Sequence, residues 1–217
     1  MAKLVFDEVG KRIYETGVSR GVLFVQDETG SYPKGVAWNG LTAVNESPSG
    51  AEANDQYADN MKYLSLTGAE NFEGTIEAFS SPEEFDVCDG MVEIAKGVKA
   101  HQQNRKSFGF AYQSIIGNDI KQNEYGTKLH LLYGCKAAPT ERAHSTVNDS
   151  PEPSNPSWSI TSTPVDVPGH RPTSVLSVNS TKVTPEKWKA LIDAIYGTDA
   201  AEPYLPTPAQ VIQLMKA

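Results

Sequence analysis

The residues able to do chemistry are few and scattered through the 217-residue chain. The four histidines, His101, His130, His144 and His170, lack the short spacing of a metal site. His130 sits on an alternating stretch and is expected to face solvent. Acids gather twice. Glu83, Glu84, Asp86 and Asp89 could supply the acid and base of a glycosidase pair; the competing reading is a capped helix start with a solvated face. Glu52, Asp55 and Asp59 are ligands that calcium accepts, but they lack the alternating oxygen pattern and closing glutamate of an EF-hand loop. Trp38, Tyr57, Tyr63, Trp158 and Trp188 could line a carbohydrate groove, against a plainer role in core packing. No nucleophile elbow, Walker loop or dinucleotide fingerprint occurs. Cys88 and Cys135 lie far apart without metal spacing and read as reduced thiols in a core. No catalytic residue, metal or cofactor is assigned, and an enzyme is not expected.

Charge adds a second constraint. Residues 1–100 hold 17 acids and 8 bases, while residues 101–217 hold 10 acids and 11 bases. An acidic first half argues against gripping nucleic acid, which calls for clustered Lys and Arg. It allows a surface that encloses DNA without holding it, since like charges do not adhere. No apolar run approaches the roughly 18 residues of a membrane span. Acids at Asp7 and Glu8 come too early for a secretory signal. A soluble protein made in a cytoplasm is expected.

The elements that must position these residues are mostly strands. The 14 prolines and 17 glycines suit many turns. Strands are expected at 12–15, 21–26, 36–44, 61–66, 71–80, 106–116, 128–133, 141–147, 157–163 and 172–178. In the 71–80 strand, Ile76 and Ala78 face opposite to Thr75, Glu77 and Phe79. In the 106–116 strand, Phe108, Phe110 and Tyr112 share a face. Polar loops are expected at 27–35 and between 117 and 126, and proline-rich joints at 149–153 and 164–172. Between the strands at 36–44 and 61–66 lies a polar segment, 46–60, far longer than a hairpin loop of two to five residues. Ser81-Pro82-Glu83-Glu84 has the form of a helix start, with Ser81 as cap and Asp89-Gly90 as stop. The clearest helix begins at Thr184-Pro185, with Val183 packed on Trp188. Trp188, Leu191, Ile192 and Ile195 form its apolar stripe, and Gly197 ends it. A shorter helix follows from Thr207-Pro208, with Val211, Leu214 and Met215 apolar. Both helices are expected to cover a sheet. No internal repeat or linker stands out, so residues 1–217 read as one mainly-β domain.

Several stretches resemble the major tail proteins of long, non-contractile bacteriophage tails. The first is Gly35-Val36-Ala37-Trp38-Asn39-Gly40-Leu41-Thr42-Ala43-Val44 with Glu46-Ser47-Pro48-Ser49-Gly50-Ala51-Glu52. Others are Tyr57-Ala58-Asp59-Asn60-Met61-Lys62-Tyr63-Leu64, Thr75-Ile76-Glu77-Ala78-Phe79, Pro82-Glu83-Glu84-Phe85 and Cys88-Asp89-Gly90. Gln102-Gln103-Asn104-Arg105-Lys106-Ser107-Phe108-Gly109, Ile116-Gly117-Asn118-Asp119, Lys128-Leu129-His130-Leu131-Leu132-Tyr133-Gly134 and Tyr196-Gly197-Thr198-Asp199 complete the likeness, which runs over nearly the whole chain.

The resemblance implies a tail-tube fold: two packed antiparallel sheets with a flanking α-helix, plus here a short C-terminal helix. It implies hexameric rings stacked into a tube through which DNA passes without specific binding. Partners would be further copies of the chain and the tape measure, tail terminator and tail initiator proteins. The location would be the virion tail, assembled in the host cytoplasm, with no membrane. The segment 46–60 would then touch the neighbouring ring, with Glu46, Glu52, Asp55, Tyr57 and Asp59 as contacts. Ordering such a loop on contact would cost about 1–2 kcal/mol per residue. The alternatives are a carbohydrate- or receptor-binding β-sandwich and a hydrolase built on the acids around Glu83.

Overall fold

The computed structural model describes residues 3–144, 146, 149 and 153–216. The chain opens with a long strand, β1 (Ile13–Val25), then β2 (Gly35–Trp38) and β3 (Leu41–Glu46). An excursion follows, made of β4 (Ser49–Gly50), β5 (Ala53–Ala58), β6 (Met61–Thr67) and β7 (Glu70–Asn71). It returns as β8 (Glu73–Ala78), a 3-10 turn at Glu83–Phe85, and a small hairpin of β9 (Val92–Ala95) and β10 (Val98–Ala100). The long hairpin β11 (Phe108–Asn118) and β12 (Gln122–Ala137) precedes β13 (Ser157–Ser162) and β14 (Val175–Asn179). Helices α1 (Pro185–Tyr196) and α2 (Pro208–Lys216) end the described chain. The protein is mainly β, as its turn-rich composition requires.

Eight strands make one antiparallel sheet in the order β2-β1-β11-β12-β13-β8-β3, with β14 added to the first half of β12. The sheet curls until its halves face each other. Trp38 of β2 and Trp158 of β13 therefore meet across the interior. The bend is placed by Gly134, at φ 59°. A Cβ there would collide with the Thr163 carbonyl, and only glycine takes positive φ at no steric cost. Up to Leu132, β12 pairs with β14; from Cys135 it pairs with β13.

Two cores share β11 and β12. Inside the curl lie Leu23, Trp38, Ile76, Phe85, Phe108, Phe110, Leu132 and Trp158. On the outer face Phe24, Ala111, Leu129, Leu131 and Tyr133 are covered by Leu191 and Ile195 of α1 and Val211 of α2. Strands buried on both faces need continuous apolar runs rather than alternation, which explains Phe108-Gly109-Phe110-Ala111-Tyr112. Each fully buried leucine here contributes about 1.5–3 kcal/mol. Among the described residues no helix is long and apolar enough to cross a membrane.

Several local expectations change. The strands expected at 12–15 and 21–26 are one strand, because Gly17 (φ 71°) and Arg20 (φ 54°) turn the intervening residues into bulges. The strand expected at 36–44 breaks at Asn39-Gly40 into β2 and β3. The polar loop expected between 117 and 126 is a tight turn at 119–121, and β12 begins at Gln122. The helix expected after Ser81 is a single 3-10 turn, and Ser81 does not cap it. Of the strand expected at 141–147, residues 141–144 and 146 form none, and residues 145 and 147 lie outside the described residues, as do 150–152 of the proline-rich joint. Thr184 makes no side-chain cap on α1; its carbonyl takes the Trp188 amide instead. The better cap is on α2. There Thr207 and Gln210 bond reciprocally, the Thr207 amide to Gln210 Oε1 (2.8 Å) and the Gln210 amide to Thr207 Oγ1 (3.4 Å).

Candidate functional site

The segment expected as an irregular loop at 46–60 is a built arm. Its neck is β4 paired with β7, and its shaft is β5 paired with β6 from Ala53↔Thr67 to Ala58↔Met61. The connection is the two residues Asp59 and Asn60, at φ 51° and 60°. Two consecutive left-handed residues make a type I′ turn, whose twist matches a hairpin, and Asp and Asn tolerate that region. Lys62 Nζ lies 2.7 Å from an Asp55 carboxylate oxygen that also accepts from Ser65 Oγ at 2.6 Å. These bonds, Lys62 first, hold the Asp55 carboxyl below its ordinary range.

The arm has no core of its own. Every residue of β6 is exposed. Tyr57 is 72% exposed, Tyr63 71%, Met61 63% and Leu66 58%. An isolated two-stranded hairpin is marginal in water, and this one shows apolar side chains on both faces, Tyr57 on one and Leu64 and Leu66 on the other. Further apolar side chains stand in solvent at Leu4, Val5, Phe6 and Val9 before β1, and at Ile94 and Val98 on the β9–β10 hairpin. Among the described residues, β2 pairs as a strand only with β1, β3 only with β8 and β14 only with β12; on β2 the Gly35 amide donates instead to the Pro203 carbonyl at 2.8 Å.

The five residues expected as a contact set divide. Tyr57 points into solvent on the shaft, Asp59 sits at its tip, and Glu52 is exposed between β4 and β5. Asp55 is engaged within the shaft. Glu46 lies at the root, turned toward the barrel. Glu52, Asp55 and Asp59 form no common site. Among the described residues no cluster of three or more His, Cys, Asp or Glu side chains could hold a metal ion.

The other sequence candidates resolve into packing. Glu83 and Glu84 are exposed, Asp86 pairs with Lys99, and buried Asp89 takes Arg105 and Arg142. Trp38 and Trp158 are buried, and Trp188 packs half-buried against the outer core with Val183. Of the groove aromatics only Tyr57 and Tyr63 face solvent, both on the arm. Cys88 and Cys135 are free and buried. Burial pushes the Cys88 thiol up to about 12 and the Cys135 thiol up as well.

One polar cluster escaped sequence reasoning. His130, expected in solvent, is buried among Glu15, Glu46, Tyr112 and Ser114. Register explains it. In β12 both faces are covered, so the residue alternating with Leu129 and Leu131 points into the barrel rather than into water. His130 Nε2 lies 3.0 Å from Ser114 Oγ and 3.2 Å from Glu15 Oε1, and Nδ1 lies 3.6 Å from Glu46 Oε1. Tyr112 stacks flat on the imidazole, with centroids 4.4 Å apart at 4°, and donates to Glu46 at 2.8 Å. The signal in the sequence was Gln113-Ser114 and His130 interrupting apolar runs.

The His130 imidazole beside it, then the Tyr112 hydrogen bond, lowers the Glu46 carboxyl against the opposing effect of burial. For Glu15, burial raises the carboxyl, but Ser114, Lys128 and His130 together outweigh it and the net shift is down. Ser114, His130 and Glu46 follow the order of a nucleophilic triad. The Ser114 hydroxyl, however, is spent on Glu15 at 2.5 Å. A cleft of about 600 Å³ beside β1 is lined by Val18–Val22, Ala37–Leu41 and Tyr196, and includes none of the three.

A scan against protein-family models and a search of curated proteins find no match to this chain.

Proposed function

We propose that this protein is a structural subunit that polymerises with copies of itself, in the manner of a phage tail-tube protein: rings, hexameric by that likeness, stacked into a DNA conduit. The arm carries this reading. It is an ordered hairpin whose Tyr57, Met61, Tyr63 and Leu66 have nothing in their own subunit to pack on. The outer edges of β14 and, past Gly35, of β2 pair with no further described strand and add a second place for partners, since unpaired edges template strand addition. Closing them between identical neighbours yields a ring rather than an aggregate. Because the arm is already folded, stacking would not bear the ordering cost that an irregular loop would impose, and the preformed hairpin favours fast, specific docking.

The acidic first half would give a channel that DNA crosses without adhering. Tape measure, terminator and initiator proteins would be the further partners, in the virion tail. The carbohydrate-module reading loses its groove, because Trp38 and Trp158 are buried. Negative-stain microscopy of the purified protein, alone and with a tail initiator, tests the proposal. Rings or tubes are the expected outcome. A monomer in both samples at every concentration and salt would overturn it.

A further inference from the structure

We propose that His130 is a proton-operated clasp across the open seam of the barrel, tying Glu15 on β1 to Glu46 at the root of the arm. The inference rests on reading the arm as an assembly element. The seam lies between β1 and β3, which approach each other without strand pairing. Glu15 and Glu46 stand one on each lip. His130 reaches both from β12, through opposite nitrogens, at 3.2 and 3.6 Å.

Hydrogen-bond accounting decides the protonation state that fits. Ser114 has one hydroxyl proton, and it goes to Glu15. Nε2 therefore faces two acceptors, Ser114 Oγ and Glu15 Oε1, and must carry a proton itself. Nδ1 faces Glu46 Oε1, a carboxylate that only accepts. The one proton of Tyr112 is also committed to Glu46. An imidazolium donates toward Glu15 and meets Glu46 with opposite charge at 3.6 Å, an ion-pair distance beyond hydrogen-bond reach; a neutral ring leaves a lone pair facing one carboxylate. The flat stack on Tyr112 favours a cation over the ring face. Lys128 is the other charged group here, on the second oxygen of Glu15 at 3.0 Å, and it does not reach Glu46 in this arrangement. From β14, the register places Ser177 opposite His130.

Glu46 pairs with Gly74, and the Ser47 amide bonds the Glu73 carbonyl, so both strands leaving for the arm start at this point. Holding Glu46 fixes the attitude of the arm. Arm attitude therefore responds to whether the His130 imidazole carries its second proton.

The test uses the unassembled full-length subunit. Amide hydrogen exchange at 46–48 and 72–74, corrected for intrinsic pH dependence, is expected to be about tenfold faster at about pH 8 than at about pH 5.5. His130→Gln and Glu46→Gln are expected to flatten that response. The same pH response in wild type and His130→Gln would overturn the clasp. So would imidazole NMR of the wild type showing one protonation state of His130 throughout, a readout that needs no variant. Tube formation is scored separately. A subunit that exchanges as described yet never polymerises keeps the clasp and removes the assembly reading; tubes from a subunit whose arm root ignores pH do the reverse.

Discussion

Trp38 on β2 and Trp158 on β13 meet edge to face, ring centroids 5.3 Å apart, although β1, β11 and β12 lie between their strands in the sheet. That contact closes the curl. Trp38 also touches Phe85 at 4.6 Å and Phe110 at 5.5 Å, and its Nε1 donates to the Ser80 carbonyl at 2.8 Å. Trp38→Ala is expected to lose about 3–5 kcal/mol. Trp38→Phe keeps a ring in the core but drops the bond to Ser80, and is expected to lose less. Urea unfolding midpoints measure both. Equal midpoints for wild type and Trp38→Ala would mean that the two halves of the sheet hold together without this contact.

On the arm the expected outcome is opposite. Tyr63 and Leu66 lie mostly in solvent, so Tyr63→Asp with Leu66→Lys should shift stability by no more than about 0.5 kcal/mol. The same pair should abolish stacking, because it places charge where an apolar partner surface is needed. Thermal melting and electron micrographs of one preparation report both effects. Normal tubes from the variant would remove the arm from the interface.

Much of this fold was legible in the residues. Alternation set Ile76 and Ala78 on the face opposite Phe79, and the structure buries the first two and exposes the third; the aromatic spacing in 106–116 put Phe108, Phe110 and Tyr112 on one face. Thr184-Pro185 to Gly197 marked α1, although its capping hydroxyl goes unused. Failures cluster where tertiary structure reassigns a local signal. Gly17 and Ser19 look like a turn and are a bulge, because β11 runs on beside them. The polar stretch 46–60 looks like a loop because nothing beneath it demands apolar residues; only the Asp59-Asn60 turn betrays a hairpin. His130 reads as solvent-facing because alternation identifies two faces of a strand without telling that both are covered. No local pattern links Glu15, Glu46, Ser114 and His130, which lie on four strands.

Alongside Asp27, Asp55 and Glu186, which are also lowered, the carboxyls of Glu46 and Glu15 contribute to the acid limb of stability. Both are held below their ordinary values in the folded protein, Glu46 chiefly by His130 and Glu15 by bonds that overcome its burial. Their contribution is complete above the unfolded carboxyl value of about 4.3 and fades as pH falls through the lower folded values. Glu46→Gln carries no titrating proton, so its stability should fall less steeply with acid than that of wild type. Urea titrations between about pH 3 and 6 measure the slope. Parallel slopes would show that Glu46 is held no differently in the folded and unfolded chains.

Asp89 separates a structural role for the second acidic group from a catalytic one. It is buried just past the 3-10 turn and takes both Arg105, at 3.2 Å, and Arg142. Arg105 donates as well to the Ala137 carbonyl at 3.0 Å, which ties the turn to the end of β12. Removing the carboxylate strands two partly exposed guanidiniums, so Asp89→Ala should lose about 1–3 kcal/mol. Asp89→Asn keeps an acceptor and should lose less. Asp89 and Arg105 should couple in a double-mutant cycle by about 0.5–3 kcal/mol, the range for residues in direct contact. Folded Asp89→Asn should assemble as wild type does, because Asp89 is buried and lies outside the arm. A variant with unchanged stability and no coupling to Arg105 would free Asp89 from this structural account and return the acids around Glu83 to the hydrolase reading.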